Sequence, residues 1–105
     1  MNHTHDFPIW PFDDAINTAA FTTRRVIEQG LPVLLVSHDL DGEWQFLCGT
    51  TTETADCRIV CMGCAYERDQ TIADVADLPI GWMAEREVVG SPWERFPRAA
   101  DDEPA

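Results

Sequence analysis

The chain has 105 residues, enough for one domain with a core of its own. Apolar residues make up 45% and four are Trp, which excludes a polar, disordered chain. Nineteen acidic residues against seven basic ones, all Arg, give a net charge of −12. Such a balance repels nucleic acid backbones and anionic membranes, and leaves a solvated acidic surface or a basic partner.

The N-terminal stretch "MNHTHDFPIW" has no basic region followed by an apolar one, so no signal peptide is expected. No apolar run approaches the ~20 residues that span a bilayer. The expected compartment is the cytoplasm, where thiols stay reduced. Pro8 and Pro11 bracket Ile9 and Trp10, which predicts an extended arm over residues 1–18 whose aromatics lie on the domain. A short helix is expected to start near Asp13 in "DDAINTAA".

"TTRRVIEQG" reads as a second short helix, capped by Thr22 or Thr23, closed by Gly30 and stopped by Pro32. "VLLVSH" is a strand, "DLDG" a turn, and "EWQFLC" the returning strand of a hairpin with Trp44, Phe46 and Cys48 on one face. "GTTTETAD" is a polar loop. "CRIVCM" is read as an inner strand ended by Gly63, with Ile59 and Val60 packed on its two faces and a helical turn after it. Thr71 is expected to cap a helix through "IADVAD", with Asp74 as the acid of a capping box and Pro79 as its stop. "GWMAEREVV" is the fourth strand. Gly90 and Pro92 end the ordered part, Trp93 and Phe96 folding back on it, and residues 98–105 form an acidic tail.

The elements define an α+β fold: a small, mainly antiparallel sheet of about four strands with short helices packed on one face, over residues 19–97. If Trp44, Phe46, Trp82 and Ala84 face the helices, the opposite face carries Glu43, Gln45, Met83, Glu85 and Glu87. One solvated face is normal for an antiparallel sheet. Exposed apolar residues ringed by charge also mark contacts, so these five are the candidate partner-binding residues.

Chemistry is sparse. Three of four cysteines fall in "CRIVCMGC" (residues 57–64). A closed zinc site takes four N or S ligands, and only one close pair exists, Cys61 and Cys64. Cys57 and Cys61 lie ~13 Å apart along an extended strand, too far to share a metal or a disulfide. Cys48 and His38 would have to complete a site from elsewhere. Two thiol readings remain: a redox use of Cys61 and Cys64, and, favoured over it, reduced cysteines that act as small apolar residues. "MNH" could wrap Cu(II) through the α-amine and His3, a pattern many chains meet by accident. His38 is expected to be a solvated turn residue. No Ser-His-Asp ordering, phosphate loop or distinguished carboxylate pair is present, so no enzyme activity and no cofactor are expected.

Three patches, "WQFLCG" (44–49), "DQTIADVADLPIG" (69–81) and "WMAERE" (82–87), stand in an order and spacing that resembles a family of small bacterial proteins of unknown function, grouped with predicted immunity proteins of polymorphic toxin systems. The matching residues are Trp44, Phe46 and Gly49; Asp69 and Ile72; Pro79, Ile80 and Gly81; and Glu85 and Arg86. The likeness covers about residues 20–90. It departs in the short stretch between Gly49 and Cys57, in the first 18 residues, and in the cysteines, which are not part of the pattern. The resemblance implies a non-enzymatic, immunity-like protein that neutralises a cognate toxin domain, basic or not, by binding it. The alternatives are a thiol or metal protein using Cys61 and Cys64, and an accessory domain with an endogenous protein partner.

Overall fold

The computed structural model describes residues 7–48 and 54–97. Six strands form one sheet: β1 Ala19–Thr23, β2 Leu35–His38, β3 Trp44–Leu47, β4 Cys57–Cys61, β5 Trp82–Glu85 and β6 Glu94–Pro97. Their order is β4-β1-β3-β2-β5-β6. Every pairing is antiparallel except β1 with β3. Two short α-helices, α1 Arg24–Ile27 and α2 Met62–Arg68, and two 3-10 helices, at Thr54–Asp56 and Gln70–Val75, complete the described α+β domain.

The β2–β3 hairpin forms where the sequence places it. Asp39 N–H donates to Glu43 C=O at 2.8 Å and Gly42 N–H to Asp39 C=O at 2.9 Å. Gly42 takes φ 89°, the left-handed conformation that the tight turn requires. Helix α1 starts at the expected cap: Thr23 Oγ1 accepts from Val26 N–H at 3.4 Å. The helix is a single turn, because β1 occupies the residues before it.

That strand is the first departure from expectation. Residues 13–18 make turns, with Thr18 N–H donating to Ala15 C=O at 2.9 Å, and no helix starts at Asp13. Ala19–Thr23 pairs with β3 on one side and β4 on the other, so tertiary pairing overrides a helix-friendly sequence. Strand β4 is therefore an edge, not an inner strand, and Ile59 on it is 67% exposed. It ends at Cys61, and Gly63 lies buried in the first turn of α2.

The second 3-10 helix is capped by Asp69, not Thr71, since the Asp69 side chain accepts from Thr71 N–H at 3.0 Å. Strand β5 stops at Glu85, four residues short of expectation. Arg86 turns inward there and its backbone N–H bonds Leu34 C=O at 3.0 Å. The chain then returns as β6, a strand the sequence reading does not contain. Its Pro97 closes an edge strand, where a missing N–H costs little.

The core lies on one face of the sheet. Ala20, Val36, Trp44, Phe46 and Ala84 from the strands meet Val26, Met62, Ala65, Ile72, Val75 and Leu78 from the helices and the segment after them. Phe12 joins them at 5% exposure. Its ring stands edge-on to Trp44 at 5.2 Å and to Tyr66 at 6.4 Å, and Trp10 and Phe7 also meet Tyr66 edge-on. Residues 7–12 are thus packed on the domain by their aromatics. The expectations for His3, His5, Gly49 and the tail 98–105 lie outside the described residues.

Candidate functional site

The buried apolar side chains of α1, α2 and the 3-10 helix at Gln70–Val75 all belong to the core cluster, so among the described residues these helices pack on one face of the sheet; on the other face Ser37 is still only 2% exposed. Direct cross-strand partners point to the same face. The register therefore writes one continuous row across all six strands of the open face: Ile59, Phe21, Gln45, Ser37, Met83 and Phe96. A second row runs Leu47, Leu35, Glu85 and Glu94. Phe21, Leu35, Leu47, Met83 and Phe96 are half-buried, and none belongs to the core cluster.

Between the two apolar ends of the first row lies a polar centre. Ser37 Oγ donates to Asp39 Oδ1 at 2.6 Å and Gln45 Nε2 donates to Asp39 Oδ2 at 2.8 Å. This network fixes the Gln45 side chain in place. The β5–β6 end of the face is acidic. Glu85 and Glu94 sit directly opposite one another, a like-charge pairing that costs stability. Glu85, Glu87 and Glu94 are exposed, and none of them makes an ion pair among the described residues. All three line a hollow of about 440 Å³ with Arg86, Ser91 and Pro92, and Arg86 there is paired with Asp69.

Of the five residues singled out in the sequence, Gln45, Met83 and Glu85 share this face. Glu43 and Glu87 are exposed just outside β3 and β5. The sequence reading misses Phe21, Glu94 and Phe96, because it assigns no strand to 19–23 or 94–97; Leu35 and Leu47 lie on strands it does assign, Leu47 on this face as expected, but neither is singled out as a candidate. The alternation of Leu35 and Ser37 against Val36 and His38 was readable once the hairpin was drawn. It places Trp82 and Ala84 on the helix face as expected.

The neighbouring ion pairs all serve the other face or the periphery. Asp56 is clasped by Arg24 at 2.5 Å and Arg25 at 3.7 Å. Arg95 bonds Asp77 at 2.7 Å and holds its carboxyl below the usual carboxylate range.

The cysteines divide. Cys48 is buried against Thr23, and Cys57 is exposed on β4. Cys61 and Cys64 meet at 3.2 Å between sulfurs, and Cys61 Sγ also accepts from Cys64 N–H at 3.3 Å. Burial, then the bond to Cys61, pushes the Cys64 thiol up to about 11. Among the described residues no cluster of three or more His, Cys, Asp or Glu could hold a metal. His38 is not a solvated turn residue: its ring stacks on Trp44 at 3.9 Å and its Nδ1 meets Leu78 C=O at 2.7 Å.

No family profile, no curated protein and no solved structure matches the chain. Among the described residues no helix is long and apolar enough to cross a membrane.

Proposed function

We propose that this chain is a non-enzymatic binding protein that docks a basic protein partner on the open face of its sheet. The observation that carries the reading is the Glu85–Glu94 pairing, with Glu87 beside it, at the end of an apolar row that no helix covers. A like-charge pair with no ion pair among the described residues is a standing cost, and a partner's Arg or Lys would lower it. The apolar row supplies contact area, the net charge of −12 supplies long-range attraction, and the Asp39-held Gln45 supplies a fixed polar contact in the middle.

The resemblance to immunity-like proteins makes the partner a toxin domain encoded beside this chain's gene, neutralised by occlusion in the cytoplasm. Co-expression of the chain with its neighbouring gene products tests this. The expected result is rescue from toxicity and co-purification, both lost in Glu85→Lys/Glu94→Lys. No rescue and no complex with any neighbour's product would overturn it.

A further inference from the structure

The Cys61–Cys64 pair is independent of the open-face reading and has its own geometry. The two sulfurs stand 3.2 Å apart, within a small approach of the ~2.05 Å bond length of a disulfide. Both residues are half-exposed, so an outside reagent can reach them. Their backbone is fixed. Cys61 ends β4, paired to Ala19, in extended conformation at φ −78° and ψ 156°, and α2 begins at the next residue. The amides of Met62 and Gly63 bond the carbonyls of Thr18 and Ile16 at 2.8 and 2.9 Å, holding the bend between strand and helix. Cys64 N–H bonds Cys61 Sγ, which orients that sulfur toward its partner. A metal reading has no third ligand among the described residues, and Cys57 lies four strand residues away, ~13 Å along β4.

We propose that Cys61 and Cys64 are a thiol–disulfide exchange site that forms a reversible intramolecular disulfide with a small-molecule or protein disulfide as oxidant. Cys61, as its thiolate, attacks one sulfur of the incoming disulfide, forms a mixed disulfide and releases one thiolate. Cys64 then gives its proton to solvent and attacks Cys61 Sγ, releasing the second thiolate. Two protein thiols are oxidised by two electrons, and one external disulfide is reduced to two thiols. Cys64 is the resolving thiol, because its sulfur stands 3.2 Å from Cys61 Sγ in the first turn of α2, and burial together with its bond to Cys61 raises its thiol pKa.

Glutathione disulfide is the probe. The reduced, full-length protein is equilibrated with mixtures of glutathione and its disulfide, acid-quenched, alkylated and mapped by peptide mass. The expected product has lost two hydrogens, with the bridge between Cys61 and Cys64. Cys64→Ser is expected to stop at a stable glutathione adduct on Cys61, and Cys61→Ser to form no bridge and no adduct at Cys64 on the same timescale. Circular dichroism of both variants checks that they remain folded. Adduct at Cys57 alone, independent alkylation of all four thiols at every ratio, or trapping at Cys64 in place of Cys61 would each overturn the assignment.

Discussion

Arg86 and Asp69 form a buried ion pair that ties the end of β5 to the start of the second 3-10 helix. Their side chains are 2% and 9% exposed and meet at 3.2 Å. Arg86 also donates to Val33 C=O at 3.1 and 2.8 Å and to Thr71 Oγ1 at 2.8 Å, and lies over the Trp93 ring at 4.2 Å. Asp69 accepts from Val33 N–H at 2.9 Å and from Thr71 N–H at 3.0 Å. Both carboxylate oxygens of Asp69 and the Nε and Nη2 of Arg86 have partners, which is the condition under which a buried pair holds a fold together. Their contact joins residues seventeen apart in the sequence.

Arg86→Met should therefore lower the unfolding free energy by about 3–5 kcal/mol, because it leaves a buried carboxylate without its cation. Asp69→Asn should cost less, since the amide oxygen can still cap Thr71. The double variant should be less destabilised than the sum of the two, with a coupling of about 0.5–3 kcal/mol. Urea denaturation of the four proteins reads this cycle. Simple additivity would mean that the two side chains do not depend on one another.

The open face predicts opposite effects on stability and binding. Glu85→Gln removes one member of the like-charge pair with Glu94 and should stabilise the free domain by about 0.5 kcal/mol. The same change should weaken capture of a basic partner and flatten the salt dependence of its association rate. Denaturation midpoints and association rates at two ionic strengths test both signs. A destabilised variant would mean that Glu85 has a structural partner outside the described residues.

Phe12 and Ile9 lie three residues apart and should behave differently. Phe12 is 5% exposed within a ring of Trp44, Phe46 and Tyr66, and Ile9 is 77% exposed. Phe12→Ala should cost about 3–5 kcal/mol through lost contacts and the cavity left behind. Ile9→Ser should change stability by no more than about 0.5 kcal/mol. Equal effects in thermal unfolding would mean that residues 7–12 do not pack as a unit on the core.

The parts of this fold that were legible in sequence are those fixed by local chemistry. Asp41-Gly42 sets its hairpin, Thr23 caps its helix, and alternation puts Trp44 and Phe46 on one face. What was hidden depends on distant pairing. "AAFTT" has no strand signal of its own, and becomes β1 only because β3 and β4 flank it. "ERFP" follows Gly90 and Pro92, which read as the end of order, yet β5 offers it a free edge. Half of the candidate face was legible for this reason: Gln45, Met83 and Glu85 sit on elements with local signals, and Phe21, Glu94 and Phe96 do not. His38 was misplaced because its stacking partner Trp44 lies across the hairpin, in a register that only the paired strands reveal.

Cys64 gives the chain a pH dependence of stability with a definite sign. In the folded protein its thiol is pushed from the ordinary 9.0 up to about 11, first by burial and then by the bond to Cys61. The unfolded chain releases this proton first, so between about pH 9 and pH 11 it binds fewer protons than the folded chain, and stability falls as pH rises. Below the unfolded value the contribution is constant, and above the folded value the slope vanishes. The informative quantity is the difference between the wild type and Cys64→Ser. Denaturation under reducing conditions from about pH 8 to about pH 11 should show a steeper decline for the wild type. Parallel curves for the two proteins would mean that Cys64 is as easily ionised folded as unfolded.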